Sequence, residues 1–217
     1  MYRKTIGLIA IVLCAVAAGP YPKMAPLDRY LMSPSAEIAL ARTAAPPSVS
    51  ANATVLVLGR TGYSTAVHGT NDFTCMVERA WTSNYHDPGF WNPRQRAPIC
   101  YNGAGARTYM QIMIMRTNLI LAGKSVDAAF AATSAALASG KLRPYEMGAM
   151  CYMMSKQQYL NDQGKAWHPH LMFFLPLKSQ WGADLPGSPI FSSDDTQDHV
   201  TIFMVPVKHW SDGTPAM

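Results

Sequence analysis

Two helix-forming segments lie back to back in the middle of this 217-residue chain, with strand-forming segments on either side of the pair and none between them. Residues 107–121 carry Met, Ile and Leu on nearly every side, the pattern of a helix buried against a sheet. Gly123 ends that segment and Ser125 caps the next, residues 126–139, an alanine-rich stretch closed by Gly140. Its Phe130 and Leu137 lie seven apart and share a face. A parallel doubly wound sheet requires strands and helices to alternate, so this order excludes it. It predicts an α+β domain: an antiparallel sheet with helices packed on one face.

The strand-forming segments set the rest of the order. Residues 54–58 are β-branched and apolar, Arg60-Thr61-Gly62 supplies a turn, and residues 63–68 return. After a second turn at 69–72, residues 73–81 form a third strand, giving a meander. Residues 82–102 contain Asp87-Pro88-Gly89 and Asn92-Pro93 and are expected as a long loop, folded back by Tyr85, Phe90 and Trp91. Unstructured loops of that length are uncommon; they are functional or are tied down. Beyond the helices, residues 145–155 and 168–177 form a hairpin across Asn161-Asp162-Gln163-Gly164, and 199–207 form the last strand, with Pro176 and Pro206 near strand ends. The expected order is therefore βββααβββ. In topology it resembles profilin-like and PAS-like extracytoplasmic modules, an analogy that transfers no function.

Residues 1–18 have the form of a secretory signal peptide: Arg3 and Lys4, an apolar run, then Ala15 and Ala17 at small positions. The stretch 6–18 is too short for a bilayer, which needs about 20 apolar residues, so no stable membrane span is expected after cleavage. A secreted or periplasmic location follows. Cys14 raises lipidation, although bulky Leu13 precedes it. Residues 19–50 are expected as a proline-rich linker, with Ser35 capping a short helix at 36–43 that Pro46-Pro47 stops. Residues 51–217 are then a single domain. Without Arg3 and Lys4 the 18 basic residues become 16 against 13 acidic ones, an excess of three, and they form no stripe interleaved with aromatics, so nucleic acid is not an expected partner.

Beyond residue 18 there are three cysteines, Cys75, Cys100 and Cys151. In an oxidising compartment one disulfide and one spare thiol are expected. Cys75–Cys100 is the favoured pairing because it ties an irregular excursion, which leaves Cys151 either buried and inert or reactive.

The densest chemistry is the run Trp167-His168-Pro169-His170-Leu171-Met172-Phe173-Phe174. In an extended strand His168 and His170 point the same way, with Met172 and Phe174 continuing that face. Two imidazoles on one wall suit a zinc or copper ion, with further ligands drawn from His199, Asp198, Asp195, His68, His86 or water. If Ser155 pairs with His168, then Met153 opposes His170 and Cys151 opposes Met172. That brings the thiol within diagonal reach of His170 as a catalytic base, and a one-residue slip abolishes it. Trp167, Tyr152 and Trp91 are candidate aromatic walls for a small ligand. The fourteen methionines fall mostly within expected helices and strands, where they fill cores.

Three segments, Phe90-Trp91-Asn92-Pro93 through Ala97-Pro98-Ile99-Cys100, Gly148 through Lys156, and Trp167 through Phe174, resemble stretches of exported bacterial proteins with no assigned function. The resemblance implies secretion and a shared fold and assigns no role to any residue. Three functional readings follow: an exported module binding a small molecule or an envelope partner beside His168 and His170; a metal- or thiol-dependent hydrolase using His168, His170 and Cys151; or a structural envelope protein.

Overall fold

A computed structural model describes residues 20–85 and 87–216. The expected leader, with Cys14, and His86 lie outside them. The class is α+β, with an eight-stranded mixed sheet at its centre. The strands are β1 (Thr54–Gly59), β2 (Gly62–Val67), β3 (Phe73–Glu78), β4 (Ala97–Asn102), β5 (Met150–Met153), β6 (His170–Pro176), β7 (Phe191–Asp195) and β8 (Val200–Pro206), ordered β2-β1-β3-β4-β5-β6-β8-β7. Every neighbouring pair is antiparallel except β1 and β3. The helices are α1 (Pro34–Arg42), α2 (Pro47–Ser50), α3 (Gly103–Arg107), α4 (Tyr109–Leu121) and α5 (Val126–Ala138). Among the described residues no helix is long and apolar enough to cross a membrane.

Two strands are additional to the expected βββααβββ order. β4 lies inside the segment expected as a loop, where Pro98 argues against a strand. It tolerates proline because β5 pairs with β4 only at Cys100 and Tyr101, leaving one side of β4 without a strand neighbour around residue 98. β7 reads Phe-Ser-Ser-Asp-Asp, a composition that strands disfavour, and it survives as an edge strand paired with β8 alone. The first three strands are not a meander. β3 crosses to the far side of β1 and runs parallel to it, Thr54 facing Thr74 and Val55 facing Cys75.

The helices occupy both faces of the sheet rather than one. α1 packs on one face, where Leu40 and Ala41 join Val55, Cys75, Val77 and Cys100 in a buried cluster. α3 and α4 cover the other, where Tyr109, Met110, Ile112 and Met113 meet Met76, Ile99, Tyr101, Cys151 and Phe174. Strand alternation assigns these sides: Cys75 and Val77 go to α1, Met76 and Glu78 to the α4 side. The proline-rich segment expected as a linker is thus part of the core, with Tyr30 and Ala41 fully buried. The helix cap is Ser33, whose hydroxyl accepts from Ala36 N; Pro34 takes the first helical position. Ser125 caps α5 as expected, and Gly123 and Gly140 follow α4 and α5 with φ of 77° and 73°.

Cys75 and Cys100 form the disulfide, directly opposite one another across β3 and β4. The bridge joins two paired strands within the α1-side core instead of fastening an excursion.

Candidate functional site

Of the two β5–β6 registers the sequence left open, the chain adopts the one with Met153 opposite His170 and Cys151 opposite Met172. What sits around it differs. β6 begins at His170, because Pro169 has no N–H to offer a ladder, so His168 lies in the preceding coil and is exposed. His170 is buried, its Nδ1 2.7 Å from the carbonyl oxygen of His168 and its ring 4.6 Å from that of Trp167. Burial holds its imidazole below the usual range. The two imidazoles thus differ in burial, one exposed and one enclosed.

The other expected site residues are dispersed. Cys151 is fully buried among Tyr101, Tyr109 and Phe174, and burial pushes its thiol well above the usual range. Tyr152 alternates to the α1 side, 6.1 Å from the Phe73 ring. Trp91 packs against Phe90 at 4.8 Å, and its carbonyl accepts a 2.8 Å bond from the Tyr30 hydroxyl. His199 is exposed and lies 3.0 Å from the Ser134 hydroxyl. Asp198 is engaged by Arg116, and Asp195 Oδ1 accepts from the backbone N–H groups of Gln197 and Asp198. Among the described residues no three His, Cys, Asp or Glu side chains converge where a metal ion could sit.

A different constellation is assembled where β4 and β5 part. Glu78, the last residue of β3, faces a cleft of about 440 Å3. Its apolar lining is Ala97, Tyr109, Met153, Leu160 and Met172; its polar lining is Thr82, Ser83, Asp87, Gln95, Asn161 and Gln163. The volume suits a small molecule, and among the described residues no lysine or arginine lines it.

Glu78 is 7 % exposed and, among the described residues, takes part in no ion pair. The Tyr101 hydroxyl donates to Oε1 at 2.5 Å. The Thr82 hydroxyl lies 3.1 Å from Oε2 and 2.8 Å from the carbonyl oxygen of Arg79, and it has one hydrogen for two acceptors. With that hydrogen on the nearer carbonyl, Oε2 receives no hydrogen from Thr82, which favours a proton on Oε2 itself. The electrostatics agree: burial raises the Glu78 carboxyl from the ordinary 4.5 to about 7, against the lowering effects of Tyr101, Thr82 and Arg116. A carboxyl poised near neutrality can donate or accept a proton at physiological pH.

The polar lining is held by a clamp between two loops. Asp162 Oδ1 accepts from Asn92 Nδ2 at 2.9 Å and from the Tyr159 hydroxyl at 2.8 Å, and Arg94 lies 2.6 Å away. The Tyr21 hydroxyl donates to Oδ2. These bonds, Tyr21 first, pull the Asp162 carboxyl down to about 2. Asp162 thereby fixes its neighbours Asn161 and Gln163 over the cleft.

Sequence reasoning did not single out Glu78, Asp87, Gln95 or Tyr109. The available signal was Glu78-Arg79 at the end of an otherwise apolar strand, because charged residues there need a partner or a purpose. No family model matches the chain, and no curated protein or solved structure matches it either.

Proposed function

We propose that this chain is an exported module that binds a small, uncharged polar molecule, and that its site is the Glu78 cleft rather than the His168–His170 wall. The observation that supports this reading is a nearly buried carboxyl without a cation, facing an open cleft whose lining offers side-chain amides and hydroxyls. A neutral Glu78 supplies one donor and one acceptor, and Gln95, Asn161 and Gln163 supply several of each. Among the described residues the lining contains no lysine or arginine to favour a phosphate or carboxylate, and the Met153, Leu160 and Met172 side chains reward an apolar ring face. The Cys75–Cys100 bridge and the leader-like residues 1–18 support a secreted or periplasmic setting.

Two measurements on the full chain test the reading. Carbon-detected NMR of the Glu78 carboxyl, assigned with Glu78→Gln, is expected to give a midpoint near 7. Methyl spectra of Met153 and Met172 are expected to shift on adding at least one of glucose, N-acetylglucosamine or acetamide. An ordinary carboxyl midpoint together with methyl signals unmoved by all three probes overturns the assignment.

A further inference from the structure

Glu78 and Asp87 line the same cleft from different elements, one at the end of β3 and the other in the loop before β4. Their surroundings differ. Glu78 Oε2 competes for the one Thr82 hydrogen, which leaves it the natural seat of a proton. Asp87 is only half-buried, and its Oδ1 accepts from Gly89 N at 2.6 Å. Glu78 is thus the carboxyl placed to carry a proton, and Asp87 stands on the same cleft as a second carboxyl. The cleft they share is lined by apolar side chains and by side-chain amides, which matches a sugar: a ring with C–H faces and hydroxyl edges.

We propose that the cleft takes a neutral glycoside of one or two sugar units, that Glu78 is the general acid and that Asp87 is the general base of its hydrolysis. This rests on the small-molecule reading above and adds a substrate class and a reaction. Glu78 Oε2 transfers its proton to the glycosidic oxygen as the C1–O bond breaks, and the bonding pair leaves with that oxygen as an alcohol. A water oxygen bonds to C1 from the opposite side, and its proton passes to Asp87. Proton exchange with solvent then restores both carboxyls, so the sum is glycoside plus water giving sugar plus alcohol, with inversion at C1. No oxidant, metal or covalent intermediate is required.

The titratable and charged groups around the acid come from every element packed on it: Tyr63 of β2, Tyr101 of β4, Cys151 of β5, and Tyr109 and Arg116 of α4. Arg116 alone among these carries a full charge at neutral pH, and it is engaged by Asp198. Loss of the Glu78 proton is therefore expected to set the alkaline limb of the rate profile.

The test uses the full chain with methyl and 4-nitrophenyl glycosides of glucose and N-acetylglucosamine, together with cellobiose and diacetylchitobiose. Reducing ends, product anomers and the Met153 and Met172 methyl signals are followed between about pH 4 and pH 8. The expected result is cleavage of at least one probe with inversion. Glu78→Gln is expected to slow the alkyl glycoside or disaccharide by roughly 100-fold or more while sparing the 4-nitrophenyl glycoside, whose leaving group needs no acid. Binding by the variant, read from the same methyl signals, should persist. Sugars that shift the methyls yet are never cut overturn the hydrolysis and leave the binding reading standing. Retention at C1 overturns the role given to Asp87. Shifts with acetamide but with no sugar overturn the substrate class, and silence with every probe overturns the binding reading itself.

Discussion

Glu78 and Arg79 are consecutive, and their surroundings are opposite. Arg79 is fully buried toward α1, where it meets Glu37 at 2.9 Å and donates to the carbonyls of Tyr30 and Val77. Glu78 faces the α4 side and has two hydroxyls for neighbours and no cation. A second closed pair, Arg116 with Asp198, locks α4 to the turn before β8, its guanidinium 3.8 Å from the centre of the Phe130 ring. The difference separates scaffold from site. A buried charge that serves the fold is neutralised by an opposite charge, whereas Glu78 is left beside open space and adjusts by holding its proton.

The largest effect expected from breaking this contrast is on the closed side. Arg79→Met strands the Glu37 carboxylate, whose Oε2 already lacks a partner, and is expected to cost about 3–5 kcal/mol in denaturant unfolding. Pairing it with Glu37→Leu should recover much of that loss, because the desolvation penalty disappears with the charges. A double variant as unstable as the single one would show that the carbonyl bonds of Arg79, rather than its charge, hold α1 in place.

The open side is expected to respond in the opposite direction and only above acid pH. The folded Glu78 carboxyl titrates near 7 against an ordinary 4.5, so the folded state holds the extra proton between those values. Stability attributable to this group therefore falls as pH rises through the window, and the full penalty is present above about 7. Glu78→Gln removes the penalty: relative to the wild type it should gain on the order of 3 kcal/mol at pH 8 and almost nothing at pH 4. Equal effects at both pH values would mean that the carboxyl is not perturbed.

The smallest effect is expected at the clamp. Asp162→Asn keeps the shape but weakens the bonds to Tyr21, Tyr159 and Arg94. Amide hydrogen exchange in residues 159–165 should quicken several-fold while the melting temperature stays nearly unchanged. Exchange unchanged by the substitution would place the ordering of the polar lining in the backbone bridge between Arg96 and Tyr159 instead.

The helices and most strands were legible in the chain because the information is local. Ser125 and Gly140 bracket α5, and the apolar run at 54–58 yields β1. β4 and β7 were not legible, since a proline in one and aspartates in the other contradict propensity, and only pairing with β3 and β8 overrides it. The histidine wall failed for a nameable reason: Pro169 interrupts the extension that would have aligned His168 with His170.

By itself the sequence determined the α+β class and the central pair of helices, because spacing, capping and alternation act over a few residues. The tertiary structure decided where the chemistry lies. Alternation places Glu78 and Arg79 on opposite sides, but it took α1 to bring Glu37 to one and the parting of β4 from β5 to leave the other facing open space. Whether a charge is paired depends on residues far away in the chain, and no local pattern encodes that distance.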